Sequence, residues 1–393
     1  MSPVPRLRDY RGPALLSYGF RPFFLLGAIQ AGLAMAAWLP IFNGQLAVST
    51  AFGPIDWHVH EMLYGFLPAV VTGFLLTAIP NWTGRLPIQG MPLLVLVAVW
   101  LAGRVAVTYS ANIGWLTAAI IDGAFLMLVI AATAREIVAG SNWRNLRVVV
   151  MVTLLLAGNI AFHFEAHYSG SAEYGARIGI AAIVLLIAVI GGRIVPSFTR
   201  NWLARENPGR LPVPFGKFDA AIILFSAAVL ALWIVQPTGN LAAAALFAAG
   251  ALHIVRLGRW AGDRTWRDRL VLILHVGYAF VPFGFLLAGA AALGMVMGDI
   301  GTHAWTVGAA GTMTLAVMTR ASLGHTGNAL VASPVTQAIY AGVVIAALAR
   351  ICASLEPGWS EPLLQVAALA WVAAYLGFAA SFGPLLLTAQ RAK

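Results

Sequence analysis

Apolar runs long enough to cross a bilayer recur along the whole chain, and no other feature constrains the fold as tightly. A hydrocarbon core about 30 Å thick needs about 20 helical residues. Twelve runs approach or exceed that length, at 19–40, 57–80, 91–108, 113–134, 146–167, 174–197, 217–235, 240–258, 270–292, 302–321, 334–353 and 363–388. Of the 393 residues, 60% are hydrophobic and only 10% charged, with a mean hydropathy of +0.85. No soluble domain of this size has that balance. The first run starts too late, and lacks the small-residue cleavage site, to read as a signal peptide. Connections are short and leave no room for an appended soluble domain. The expectation is an all-α integral membrane protein, a single membrane domain over 1–393 with twelve transmembrane helices.

The net charge of +10 raises the question of nucleic acid, and its distribution answers it. Arg6, Arg8 and Arg11 precede the first run, and Arg85 follows the second. Arg135, Arg144 and Arg147 follow the fourth, and Arg200, Arg205, Arg210 and Lys217 the sixth. Arg256, Arg259, Arg264, Arg267 and Arg269 follow the eighth, and Arg391 and Lys393 end the chain. With twelve alternating crossings these segments all fall on one side. The opposite side keeps little beyond Arg104, Arg177 and Arg350. The positive-inside rule then places both termini in the cytoplasm. The basicity is a topology signal, and no nucleic-acid partner is expected. Cys352 is the single cysteine, which excludes a disulfide framework and a thiolate cluster.

The runs carry an internal repeat. Aligning His60 with His303 also aligns Gly65 with Gly308, Ala78 with Ala321, and Thr83-Gly84 with Thr326-Gly327. Ile79-Pro80-Asn81-Trp82-Thr83 is echoed by Val195-Pro196-Ser197-Phe198-Thr199 at the end of the sixth run. The pattern predicts three pseudo-repeated four-helix units, at 1–134, 146–258 and 270–388.

Five of the eight histidines converge at one depth on the side poor in fixed charge. His58 and His60 open the second run, His163 and His167 close the fifth, and His303 opens the tenth. His275 and His253 lie near the inner ends of the ninth and eighth runs, and His325 follows the tenth. Residues two apart on a helix point roughly 200° from each other, so His58 and His60 address different neighbours. His60 is expected to face a haem and His58 the other way, toward a second centre shared with His163. His163 and His167, four apart, lie on one helix face, a spacing that can chelate one metal ion. Imidazole suits iron, copper and zinc, and ionisable groups within a membrane are functional candidates by default. The metal-ligand candidates are His58, His60, His163, His167, His275 and His303. Ordinary interfacial hydrogen bonding is the competing reading of each.

A haem needs axial imidazoles, small residues beside the macrocycle and cations for its propionates. The second and tenth runs offer the first two, for example in Gly308-Ala309-Ala310-Gly311, and Arg104 and Arg350 offer the third. With His58, His60 and His303 they form the candidate cofactor-binding set for haem b. There is no CxxCH, so covalent c-type attachment is excluded. Glu61 and Asp122 read either as part of a proton path or as hydrogen-bonded structural groups.

Several motifs resemble the NnrS family: Tyr18-Gly19-Phe20-Arg21-Pro22-Phe23-Phe24, Trp57-His58-Val59-His60-Glu61-Met62, and Gly73 through Gly84. Gly191 through Thr199, Leu274-His275-Val276-Gly277-Tyr278, and His303 through Gly327 resemble it too. The resemblance implies a twelve-helix bacterial inner-membrane protein holding haem and copper. It also implies a role in nitric oxide metabolism or nitrosative-stress defence, with nitric oxide or a related small molecule as ligand. A haem-dependent oxidoreductase, fed by an electron donor, is the enzymatic form of that expectation. The three-unit plan is also similar to the catalytic subunit of haem–copper oxidases, but the histidines of their binuclear site in helices 6, 7 and 10 are not reproduced here. The rival readings are a secondary transporter of copper or a small anion, using the same histidines as its path, and a structural assembly factor.

Overall fold

A computed structural model describes residues 10–389. In chain order the long helices are α1 (Phe20–Phe42), α2 (Pro54–Thr83), α3 (Met91–Thr108), α4 (Trp115–Ala139), α5 (Trp143–Ser169), α6 (Glu173–Glu206), α7 (Lys217–Val235), α8 (Asn240–Gly258), α9 (Arg269–Ala292), α10 (300–325), α11 (Pro334–Leu355) and α12 (Pro357–Leu387). No strand occurs among the described residues. Eleven of these helices are long and apolar enough to cross a membrane. The twelfth, α10, is continuous and as long as its neighbours, but rich in threonine and glycine (Thr302, Thr306, Thr312, Thr314, Gly308, Gly311). The chain is therefore an all-α, multi-pass membrane protein. Arg6, Arg8, Arg391 and Lys393, used in the charge argument, lie outside the described residues.

Local sequence sets the helix ends. Pro54 opens α2 after extended Gly53, where its missing N–H costs nothing. Gly84 closes α2 in the left-handed region at φ 70°, which a side chain would resist. Asp268 caps α9 by accepting from the backbone N–H of Leu270 and Val271. Glu165, near the end of α5, accepts from the N–H groups of Tyr174 and Gly175 and so caps α6.

Burial separates the helices into two kinds. In α2, 83% of the apolar window is buried, and in α6 72%, against 33% in α7. The peripheral helices turn large apolar side chains outward, including Val105, Ile120, Met127, Leu224 and Leu241. Such a surface suits lipid. Those same helices also bury polar side chains, among them Arg104, Asp122, His163, Asp219 and His253.

Contacts cluster the described residues into two compact units. Unit 1 takes the chain up to Gly179, Met318–Ala329 and the stretch from Tyr375; unit 2 takes Ile180–Val317 and Leu330–Ala374. Each unit holds one of the two histidines that the sequence aligns, and the same irregularity follows both. After His60 the helix widens into a π-helical segment, Glu61–Phe66. After His303 it does so over Ala304–Gly311. Such widened turns are rare and concentrate at functional sites. Thr83, Thr199 and Thr326, equivalent in the repeat, each donate to the carbonyl four residues back.

Candidate metal centre

In unit 1 the polar side chains of α1 to α5 converge on one buried cluster. Arg104 of α3 is its hub. Its Nη1 donates to Glu61 Oε1 at 2.7 Å, and its Nη2 to Asp122 Oδ1. Gln30 of α1 donates to the second oxygen of Glu61. Asn159 of α5 donates to Asp122 Oδ2 at 2.7 Å. The same Oδ2 faces two imidazoles, His60 Nε2 at 3.2 Å and His163 Nε2 at 3.3 Å. All of these groups except Gln30 are buried.

The backbone makes room for this hub. Gly65, inside the π-helical segment, has no Cβ where one would lie 2.4 Å from Arg104 Nη1. Its carbonyl accepts from the Trp100 indole at 2.9 Å. Gly103 likewise lets Asp122 approach, with only 3.0 Å between a Cβ there and Oδ1.

Two features point to a cation. First, His60, Asp122 and His163 each offer one ligand atom, all within 4.8 Å of one another. Two donors each about 2.1 Å from one ion at the tetrahedral angle stand about 3.4 Å apart. The observed 3.2 and 3.3 Å match that edge, and at the same range His163 Nε2 reaches Asp122 Oδ2 and His60 Nε2 reaches Asn159 Oδ1 as hydrogen-bond partners. Second, two carboxylates face one guanidinium. With both acids ionised and the histidines neutral the cluster carries one surplus negative charge, a costly state away from water. Two imidazole nitrogens and a carboxylate oxygen suit copper, iron or zinc. The rings of Phe52, Tyr64 and Phe162 stand 5.1 to 5.6 Å from the His60 ring, a wall fitted to an ion rather than to a macrocycle.

The sequence-based candidates distribute unevenly. His60, not His58, meets His163, with ring centroids 4.9 Å apart; His58 packs edge-on against Trp38. The two do point in different directions, but Asp122 and Asn159 decide which faces α5. His167 is exposed beyond the packed layer and stacks on Trp115 at 4.5 Å, because the end of α5 extends past its neighbours. His325 stacks on Tyr18. Arg104 is engaged by two carboxylates.

In unit 2, His303 donates from Nδ1 to the Asp299 carbonyl at 2.9 Å, which leaves Nε2 as the ring's lone-pair nitrogen. Metal-binding histidines characteristically donate the other ring N–H in this way. Arg350 pairs with Asp299 and donates to Ser354. Burial pushes the Asp299 carboxyl up, but His303 and Arg350 outweigh it and hold the group below its ordinary range. His275 Nε2 lies 2.8 Å from Thr199 Oγ1. Since Thr199 donates to Val195, His275 donates from Nε2, and its buried Nδ1 has no hydrogen-bond partner among the described residues.

Sequence reasoning missed Asn159 and Gln30. Asn159 could have been found, since it stands four residues before His163 on the same face of an otherwise apolar run. Arg256 was counted with the basic residues that mark topology. It is instead fully buried, turned inward from the last turn of α8 onto Asp219 at 2.9 Å.

The family model of the NnrS protein matches residues 14–390. No curated protein matches the chain.

Proposed function

Because the chain belongs to the NnrS family, we propose that it is a haem- and copper-containing membrane protein that acts on or senses nitric oxide, in nitric oxide metabolism or nitrosative-stress defence. The observation that carries this reading is the His60–Asp122–His163 cluster, three possible ligands buried together among helices apolar enough to cross a membrane. Copper is the metal assigned to it, on the two imidazole nitrogens and one carboxylate oxygen. The lone-pair Nε2 of His303 is assigned to haem iron, on the strength of its Nδ1 bond to a backbone carbonyl. Arg350 is the nearby cation for a propionate. When bound, these groups would supply one-electron redox centres able to bind a small neutral ligand.

The chain's own residues do the rest. Asn159 and Arg104 orient Asp122 and keep its Oδ2 toward the two imidazoles. Phe52, Phe162 and Tyr64 exclude water from His60. The aromatic wall beside His60 suits an uncharged diatomic ligand better than a hydrated ion, which favours a nitric oxide protein over an anion transporter. In this reading the protein sits in a bacterial inner membrane with both termini cytoplasmic. A reporter fused after Gly239 is then expected to register the outer side.

The decisive experiment is metal analysis and a visible spectrum of the purified full-length protein. A Soret band and a non-haem metal are expected. His163→Ala should lose the non-haem metal and keep the Soret band, and His303→Ala should lose or shift the band. A protein that binds neither group would leave the transporter or a structural role as the better reading.

A further inference from the structure

Unit 2 contains a second buried polar cluster to which the proposed function gives no role. Its members are Tyr278 of α9, His253 and Arg256 of α8, and Ser226 and Asp219 of α7. Tyr278, His253, Arg256 and Ser226 are wholly buried.

Hydrogen counting assigns the hydrogens between Ser226, His253 and Tyr278. Arg256 Nη1 donates to Tyr278 Oη at 2.7 Å. Tyr278 Oη lies 3.0 Å from His253 Nδ1. His253 Nε2 lies 2.9 Å from Ser226 Oγ, and Ser226 gives its single hydrogen to the Ile222 carbonyl. Ser226 therefore accepts, and His253 carries its hydrogen on Nε2. Its Nδ1 is then a lone pair, so the phenol donates its one hydrogen to it. Asp219 holds Arg256 at 2.9 Å and balances its charge.

Aromatic rings continue from this pair in both directions. The Trp260 ring is 4.5 Å from Tyr278. Phe285 stacks on His253 at 5.4 Å, Trp305 follows at 5.0 Å and Trp233 at 5.3 Å. Trp233 stands near the C-terminal end of α7, and Trp260 just past that of α8. As α7 and α8 are consecutive crossings, these two indoles mark opposite ends of the helices.

We propose that Tyr278 and His253 form a proton-coupled one-electron redox pair, reached through these rings from either end of unit 2. In the step, Tyr278 loses one electron to an oxidant of the nitrogen dioxide class, which leaves as nitrite. The phenolic O–H bond breaks, and its proton forms an N–H bond at His253 Nδ1. The products are a neutral phenoxyl radical, still accepting from Arg256, and an imidazolium. Return of one electron from a reductant reverses both changes. An oxidised phenol must shed its proton, and this one is wholly buried, so the base beside it makes Tyr278 the resting place of the oxidising equivalent. Trp305 has no such base, since its indole N–H is given to the Val281 carbonyl.

The oxidant class rests on the nitric oxide reading, but the pair does not. The test therefore uses a photogenerated ruthenium(III) polypyridyl complex on the full-length protein, followed by ascorbate to quench surface radicals and electron paramagnetic resonance. A tyrosyl signal that survives ascorbate is expected, lost in Tyr278→Phe and in His253→Gln with metal content unchanged in both. No surviving signal in the wild type, or one unaffected by either substitution, overturns the pair. Should a variant fail to fold, the wild type equilibrated in D2O decides. A slower rise of the signal supports proton coupling, and an equal rise overturns it.

Discussion

The two units each bury an arginine–carboxylate pair beside a histidine, yet only one of these arrangements is suited to a cation. In unit 1, Arg104 faces two acids, Glu61 and Asp122, and two imidazoles meet one carboxylate oxygen. In unit 2, Arg256 faces one acid, Asp219, and both nitrogens of the one imidazole are taken by hydroxyls. The difference is one of charge and lone pairs. With its histidines neutral, the first cluster has a surplus negative charge, and its donors stand at the spacing of a coordination edge. The second is neutral and its ring nitrogens are satisfied. A buried histidine is thus a ligand candidate because of the charge and spacing of the groups around it, not because it is buried.

Matched substitutions can break this comparison. The largest effects should come from the acids. Asp122→Asn and Asp219→Asn each remove one partner of a buried ion pair, which typically costs about 3–5 kcal/mol. Both should lower the thermal midpoint in detergent, but only Asp122→Asn should lose the non-haem metal. Equal metal content in the two variants would sink the charge argument.

Glycine substitutions come next. A Cβ at Gly65 would lie 2.4 Å from Arg104 Nη1, and one at Gly192 would lie 1.9 Å from Arg256 Nη2. Overpacking of this kind costs about 1–3 kcal/mol. Gly192→Ala should destabilise without touching metal content, whereas Gly65→Ala should do both, because it displaces the guanidinium that orients Asp122. Metal analysis beside calorimetry separates the two.

Smaller again, His163→Ala and His253→Ala should each cost about 1–3 kcal/mol for the polar partners left unmet. Only the former should release metal. The least effect is expected of His167→Ala, where an exposed ring stacked on Trp115 is removed. Unchanged metal content and thermal midpoint would sharpen the contrast with His163, one helical turn away.

Hydropathy along the chain determined where the long helices stand, eleven of them apolar enough to cross a membrane among the described residues, because insertion of a helix depends on its own residues and on a bilayer of fixed thickness. Even α10, the least apolar, stands where its run predicts. The opposed directions of His58 and His60 followed from helical geometry, and the motifs carrying the family resemblance were local strings. None of these needs a neighbour. The rotation of each helix about its axis does, and that rotation is what builds the sites. It brought His60 rather than His58 to His163, turned Asn159 of the same helix into the cluster, supplied Asp122 and Gln30 from two further helices, and turned Arg256 inward from a position that reads as an interfacial charge. The division into two units, each assembled from separated stretches of chain, was equally out of reach. A polar group in a membrane helix goes wherever another helix can satisfy it, and that choice belongs to the packed molecule because it depends on partners more than a hundred residues away, as His60 and His163 are.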